Sequence, residues 1–202
     1  MTPVYKLSAS SVTGRTNYGS MLAGNPVFID TAFESIATVS VGSGGAATVE
    51  FTSIPGTYQH LQIRAIARTD RANAQGDYLK FNMNSDTASN YSAHELSGYN
   101  GSVAAGSNVS VAFQVINRWA GTSQAANTFG GGVIDILDYA NTNKYKTTRS
   151  LAGWNDNTQG SLHFNSSLWM STSAITSIAI TAGGGTSIDE YSHFALYGIK
   201  GA

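Results

Sequence analysis

From Phe33 onward, short runs of alternating apolar and polar residues are separated by clusters of Gly, Asn, Asp and Ser. Successive side chains leave a strand on opposite sides, so this two-residue period marks strands with one buried face. Residues 60–68 show it best. Leu61, Ile63, Ala65 and Ala67 fall on one side, and Gln62, Arg64 and Arg68 on the other. The runs 36–41 and 48–51 flank Gly42-Ser43-Gly44-Gly45, a combination that predicts a β-hairpin. Further strands are predicted over 78–83, 93–98, 109–119, 131–139, 145–154, 161–170, 175–181 and 193–199. Residues 70–77 and 100–108 are left as loops. The apolar run Val133, Ile134, Ile136, Leu137 and Tyr139 suits a strand buried on both faces. No segment holds a helical period.

Turns every 8–12 residues, in a body of about 170 residues, predict an all-β fold. The expected architecture is a jelly-roll-like antiparallel β-sandwich of about eight to ten strands spanning residues 33–202. Residues 1–32 differ: glycines and Pro26 interrupt them, and apolar anchors stand apart from one another. Tyr5, Leu7, Tyr18, Met21, Leu22 and Phe28 are too many anchors for a tail that stays unfolded. They predict an extended N-terminal arm that orders against a neighbouring chain.

Charge sharpens this picture. Of 202 residues only 11% are charged, against roughly 25% in typical soluble domains. Contact surfaces disfavour Lys, Glu and Asp at their centres, so a charge-poor body suits repeated packing. The net charge is −1 and no basic run exists; Lys144, Lys146 and Arg149 are the densest positive cluster. Nucleic acid, whose binding requires many neutralised phosphates, is not an expected partner. There are no cysteines, which excludes disulfides and thiolate metal sites. Residues 1–7 lack a charged start followed by an apolar stretch, so no signal peptide is read, and no apolar run suggests a membrane partner.

Candidate chemistry is sparse. His60, His94, His163 and His193 have no paired ligand spacing, and no nucleophile elbow or phosphate loop appears. Gly130-Gly131-Gly132 and Gly183-Gly184-Gly185 lie between predicted strands and read as turns or tight approaches between chains. Asp135 with Asp138, and Asp189 with Glu190, are the only suggestive carboxylate pairs; Asp70, Asp77 and Asp86 lack a calcium-loop pattern. No cofactor or metal is expected and the chain is read as non-enzymatic. Trp169 lies in an apolar cluster and is assigned to the core. Trp154, beside the polar turn Asn155-Asp156-Asn157, is the better candidate for an exposed ring.

Five stretches resemble a family of tailed-bacteriophage virion proteins. They are residues 33–51 (FESIATVSVGSGGAATVEF), 54–64 (IPGTYQHLQIR), 133–154 (VIDILDYANTNKYKTTRSLAGW), 168–181 (LWMSTSAITSIAIT) and 191–201 (YSHFALYGIKG). The resemblance implies a structural component of the virion exterior, made in the host cytoplasm and trimeric, with no catalytic residues to transfer. The leading expectation is a capsid cement or decoration protein. It would form a homotrimer and grip the major capsid protein shell through residues 1–32. The alternatives are a tail-fibre or tail-tip protein that binds a host glycan, or a carbohydrate-binding module, with Tyr91, Tyr99 and Trp154 as the contacting rings.

Overall fold

The computed structural model describes residues 32–201. Among them there is no helix. The elements are β1 (Phe33–Ser40), β2 (Thr48–Phe51), β3 (His60–Ala67), β4 (Gly76–Met83), β5 (Tyr91–Tyr99), β6 (Ser102–Val111), β7 (Gln114–Ala120), β8 (Gly130–Leu137), β9 (Lys146–Asn155), β10 (Gly160–Trp169), β11 (Ile178–Ala182) and β12 (His193–Ile199). They form two antiparallel sheets, one of eight strands in the order β1-β12-β3-β8-β9-β10-β5-β6 and one of four in the order β2-β11-β4-β7. The sheets pack face to face as a β-sandwich, as the alternation predicts.

The core lies where the four-stranded sheet covers the larger one. Leu61 and Ile63 of β3, Ile134 and Ile136 of β8, and Phe194 and Leu196 of β12 point inward. They meet Leu79, Phe81 and Met83 of β4 and Ile178 and Ile180 of β11. Trp119 is fully buried, and its indole N–H donates to the Ile116 carbonyl at 3.1 Å. Its ring lies against Gly132, where an added Cβ would stand 2.7 Å from the indole. The first glycine triplet is therefore part of a strand and not a turn, and its Gly132 makes room for Trp119.

Several expectations are corrected. Twelve strands are present among the described residues, because residues 102–108 belong to β6 and the run 109–119 divides into β6 and β7. The predicted hairpin does not exist: β1 pairs with β12 in the large sheet and β2 with β11 in the small one. Gly44 and Gly45, both at positive φ, carry the chain from one sheet to the other, which lets both runs face the same core. The run 133–137 is buried on one face only, with Ile134 and Ile136 inward and Val133 outward. The positive cluster also dissolves. Lys146 is buried and donates to the carbonyls of Asn141, Lys144 and Thr172 at 2.6–3.0 Å, and burial lowers its pKa. Lys144 pairs with Asp138.

Asp77 ties the two sheets' connections together. Its side chain is buried, yet it accepts hydrogen bonds from Thr69 Oγ1 (2.9 Å), Tyr78 N (2.9 Å), Gly184 N (2.9 Å) and Gly185 N (3.1 Å). Arg71 Nη1 stands 3.5 Å from it. The second glycine triplet is thus a turn wrapped onto a carboxylate within the chain, and a Cβ at Gly183 would strike the Tyr78 ring. Asp77→Ala leaves buried donors without an acceptor and is expected to destabilise the fold by about 3 kcal/mol. Urea unfolding should show a lower midpoint with an unchanged slope; an unchanged midpoint would contradict this role.

Candidate functional site

Antiparallel pairing gathers six connections at one end of the sandwich: residues 41–47, 68–75, 100–101, 121–129, 156–159 and 183–192. Three concavities among the described residues open at this end. The first, about 840 Å³, runs from Asn100, Gly101 and Phe129 onto the outer face of the large sheet. The second, about 560 Å³, lies among Gly44, Arg68, Asn127, Asp189, Glu190 and Tyr191. The third, about 320 Å³, lies among Arg71, Gln75, Gly76, Tyr99 and Arg118.

The registers fix what the outer face of the large sheet presents. One row crosses it as Ile66–Gly131–Gly153–Leu162–Gly98–Val103, and the next as Arg64–Val133–Leu151–Phe164–Leu96–Ala105. The apolar side chains in both rows are exposed. Only the third row, Gln62–Asp135–Arg149–Ser166–His94–Ser107, is polar throughout. The result is an apolar belt five strands wide, and its first row is floored by three glycines. A Cβ at Gly153 would clash with the Ser161 carbonyl oxygen at 2.3 Å, whereas at Gly98 and Gly131 it would meet nothing within 4 Å. No described residue demands glycine at those two positions.

The belt ends at β6, which has ten residues, none charged, and is exposed along nearly its whole length. Val103 and Val109 are 77% and 64% exposed. As the last strand of its sheet, β6 leaves one row of backbone donors and acceptors without a strand partner among the described residues. Lone soluble domains usually blunt such an edge with lysine or proline, and neither is present here.

The inner face of β9, β10 and β5 is polar where the others are apolar. Thr148, Ser150, Ser161, His163, Asn165 and Ser167 are all buried. His163 lies between two partners, with Nε2 2.9 Å from Ser161 Oγ and Nδ1 3.4 Å from Glu95 Oε2, and Asn165 Nδ2 reaches the same carboxylate oxygen at 3.5 Å. This hydroxyl–imidazole–carboxylate order is that of a nucleophile relay. Ser161 is buried with its cross-strand neighbours Trp154 and Tyr99 on either side, so we read the chain as a relay that satisfies buried polar atoms. Ser161-x-His163 is legible as two same-face positions of one strand, but Glu95 comes from another strand.

The predicted rings divide. Tyr91 is corrected from a contact residue to a core residue. It is fully buried, stacks on Trp169 at 6.2 Å and has its hydroxyl 3.1 Å from the Asp86 carbonyl; burial pushes its pKa up to about 12. Trp154 is also buried, at 5% exposure, because it shares the inner face with Ala152 and Ser150. Tyr99 is 40% exposed and meets Trp154 edge-on at 6.4 Å. Trp169 is in the core, as expected, and donates to Asp86 Oδ2 at 2.7 Å. The suggested carboxylate pairs serve as local anchors: Gln62 donates to Asp135, and Arg68 stands 3.5 Å from Asp189. Among the described residues no group of three or more acidic or histidine side chains is placed to hold a metal, and no helix is long and apolar enough to cross a membrane. The anchors Tyr5, Leu7, Tyr18, Met21, Leu22 and Phe28 lie outside the described residues. No protein-family model, curated protein or solved structure matches the chain.

Burial lowers the pKa of His163 below the usual 6.5; Glu95 opposes this shift and Arg118 adds to it. The unfolded chain therefore takes up this proton before the folded one does, and stability falls as pH drops below about 6.5. Asp70, Asp86 and Asp138, all held below 3.8, contribute only at lower pH. Thermal unfolding between pH 7.5 and 5.5 should show a falling Tm that His163→Gln flattens. An identical slope in both proteins would contradict this.

Proposed function

We propose that this protein is a non-enzymatic structural component that works by packing against other chains in a particle. The assembly suggested by the sequence resemblance is that of a tailed bacteriophage. The observation that carries this reading is the uncharged, doubly exposed β6 edge continuous with the apolar belt. Such a surface is an aggregation hazard on a solitary protein and an interface on an assembled one. The empty positions beside Gly98 and Gly131 support it, since they leave a groove into which side chains of another chain fit.

In this reading the belt and β6 hold a homotrimer, while residues 1–32 attach it to the major capsid protein shell as a cement or decoration protein. Obligate contacts bury apolar surface of this kind, and near-zero net charge removes the repulsion that would keep copies apart. The exposed positions of β6 can be altered with little effect on the fold itself.

Light scattering at micromolar concentration should therefore find an oligomer. Val103→Lys with Val109→Lys should convert it to a monomer whose Tm stays within a few degrees of that monomer's expected fold stability. A monodisperse wild-type monomer would contradict the reading. Separately, deleting residues 2–30 should abolish occupancy on purified particles while leaving the sandwich folded, and unchanged occupancy would remove the arm from the account.

A further inference from the structure

The third concavity at the loop end has the chemistry of a ligand site, and it lies apart from the belt and the open β6 edge. The geometry points to this 320 Å³ niche as a binding site for an acidic sugar. Arg118 and the Trp154 indole N–H would receive the carboxylate, and Tyr99 would support the ring.

Three observations converge. Arg118 lines the niche and has no hydrogen-bond or ion-pair partner among the described residues. The other arginine, Arg71, donates to the Gly76 carbonyl at 3.1 Å and faces Asp77 at 3.5 Å. Its charge is largely answered, so the charge left for a ligand is that of Arg118. Next, Trp154 Nε1 is buried without an acceptor, whereas Trp119 donates to Ile116 and Trp169 to Asp86. A buried N–H without a partner is costly, and each instance asks for an explanation. Finally, Gly76 is what lets the two donors meet. A Cβ there would stand 2.9 Å from Trp154 Nε1 and 3.2 Å from Arg118 Nη1. Trp154 itself does not line the niche, so its N–H becomes the second donor when an acceptor draws the neighbouring Arg118 guanidinium aside.

The planar fork of arginine matches a carboxylate in bidentate fashion. The surroundings select a sugar. Tyr99 offers a partly exposed ring fixed edge-on against Trp154, and apolar sugar faces lie on such rings. Its hydroxyl is held by Gln75 and Gln159, and Asn100 bonds Gln159 in turn. Side-chain amides at the rim both donate and accept, as sugar hydroxyls require. The volume is at the small end of ligand pockets, which suits one ring.

The test is a titration of the intact ¹⁵N-labelled protein with glucuronate, followed at the three indole N–H resonances, with glucose, acetate and phosphate as comparisons. Glucuronate should move the Trp154 resonance saturably and leave those of Trp119 and Trp169 in place. Arg118→Gln should weaken binding by at least ~10-fold and Arg118→Lys by less. Gly76→Ala, which fills the meeting point, should abolish it, with the Trp119 and Trp169 resonances reporting that each variant is folded. No movement of the Trp154 resonance, an equal response to glucose, acetate or phosphate binding as tightly, or indifference to Arg118→Gln would each overturn the assignment. Oligomeric state is not read in this experiment, so its failure and that of the packing account are distinguishable.

Discussion

The small sheet has half as many strands as the large one, and at ~4.8 Å per strand that leaves roughly 20 Å of the large sheet beyond its cover. Most other features follow from this mismatch. Where cover exists, around β3, β8 and β12, the inner face is aliphatic and dry. Toward β9, β10 and β5 it turns to serine, threonine, asparagine and histidine; Ser161, His163 and Thr148 hydrogen-bond there, while the Ser150 and Ser167 hydroxyls find no partner among the described residues. Beyond the cover, β6 faces solvent on both sides. The sheet continues past the cover that the described residues provide, and in the proposed packing account its completion falls to neighbours.

The same mismatch places the niche. Arg118 lies on β7, the edge of the small sheet, and Tyr99 and Trp154 lie on strands of the large sheet near that border. Side chains from the two sheets meet there without a shared apolar layer between them. Polar groups from one sheet are therefore left facing a cleft, with Asp77 holding the neighbouring turn in place. Packing surface and niche are two outcomes of one border, on opposite faces of the large sheet.

The sequence made legible whatever depends on contrast within a single strand. β3 and β12 are read almost to the residue, because Leu61 and Ile63 alternate against polar neighbours and Phe194 and Leu196 keep the same two-residue spacing. β6 is missed for the converse reason: with both faces wet, SVAAGSNVSV has no buried side to mark, and only pairing with β5 makes it a strand. The glycine-rich step between β1 and β2 serves a hairpin or a crossover equally well. The partners that decide, β11 and β12, lie more than 120 residues away. The polar turn after Trp154 suggests an exposed ring, whereas its burial is set by which face of β9 it occupies. Arg118, Gly76 and Tyr99 carry no spacing signal, since three separate connections bring them together.

The central claim is that the β6 edge is closed by another chain, and amide hydrogen exchange along Ser102–Val111 tests it most directly. Measured across a dilution series, the β6 amides should be protected at high protein concentration and exchange rapidly once the oligomer dissociates, while those of β3 and β8 stay protected throughout. Rapid exchange of β6 at every concentration, in particles as well as in free protein, would contradict the account.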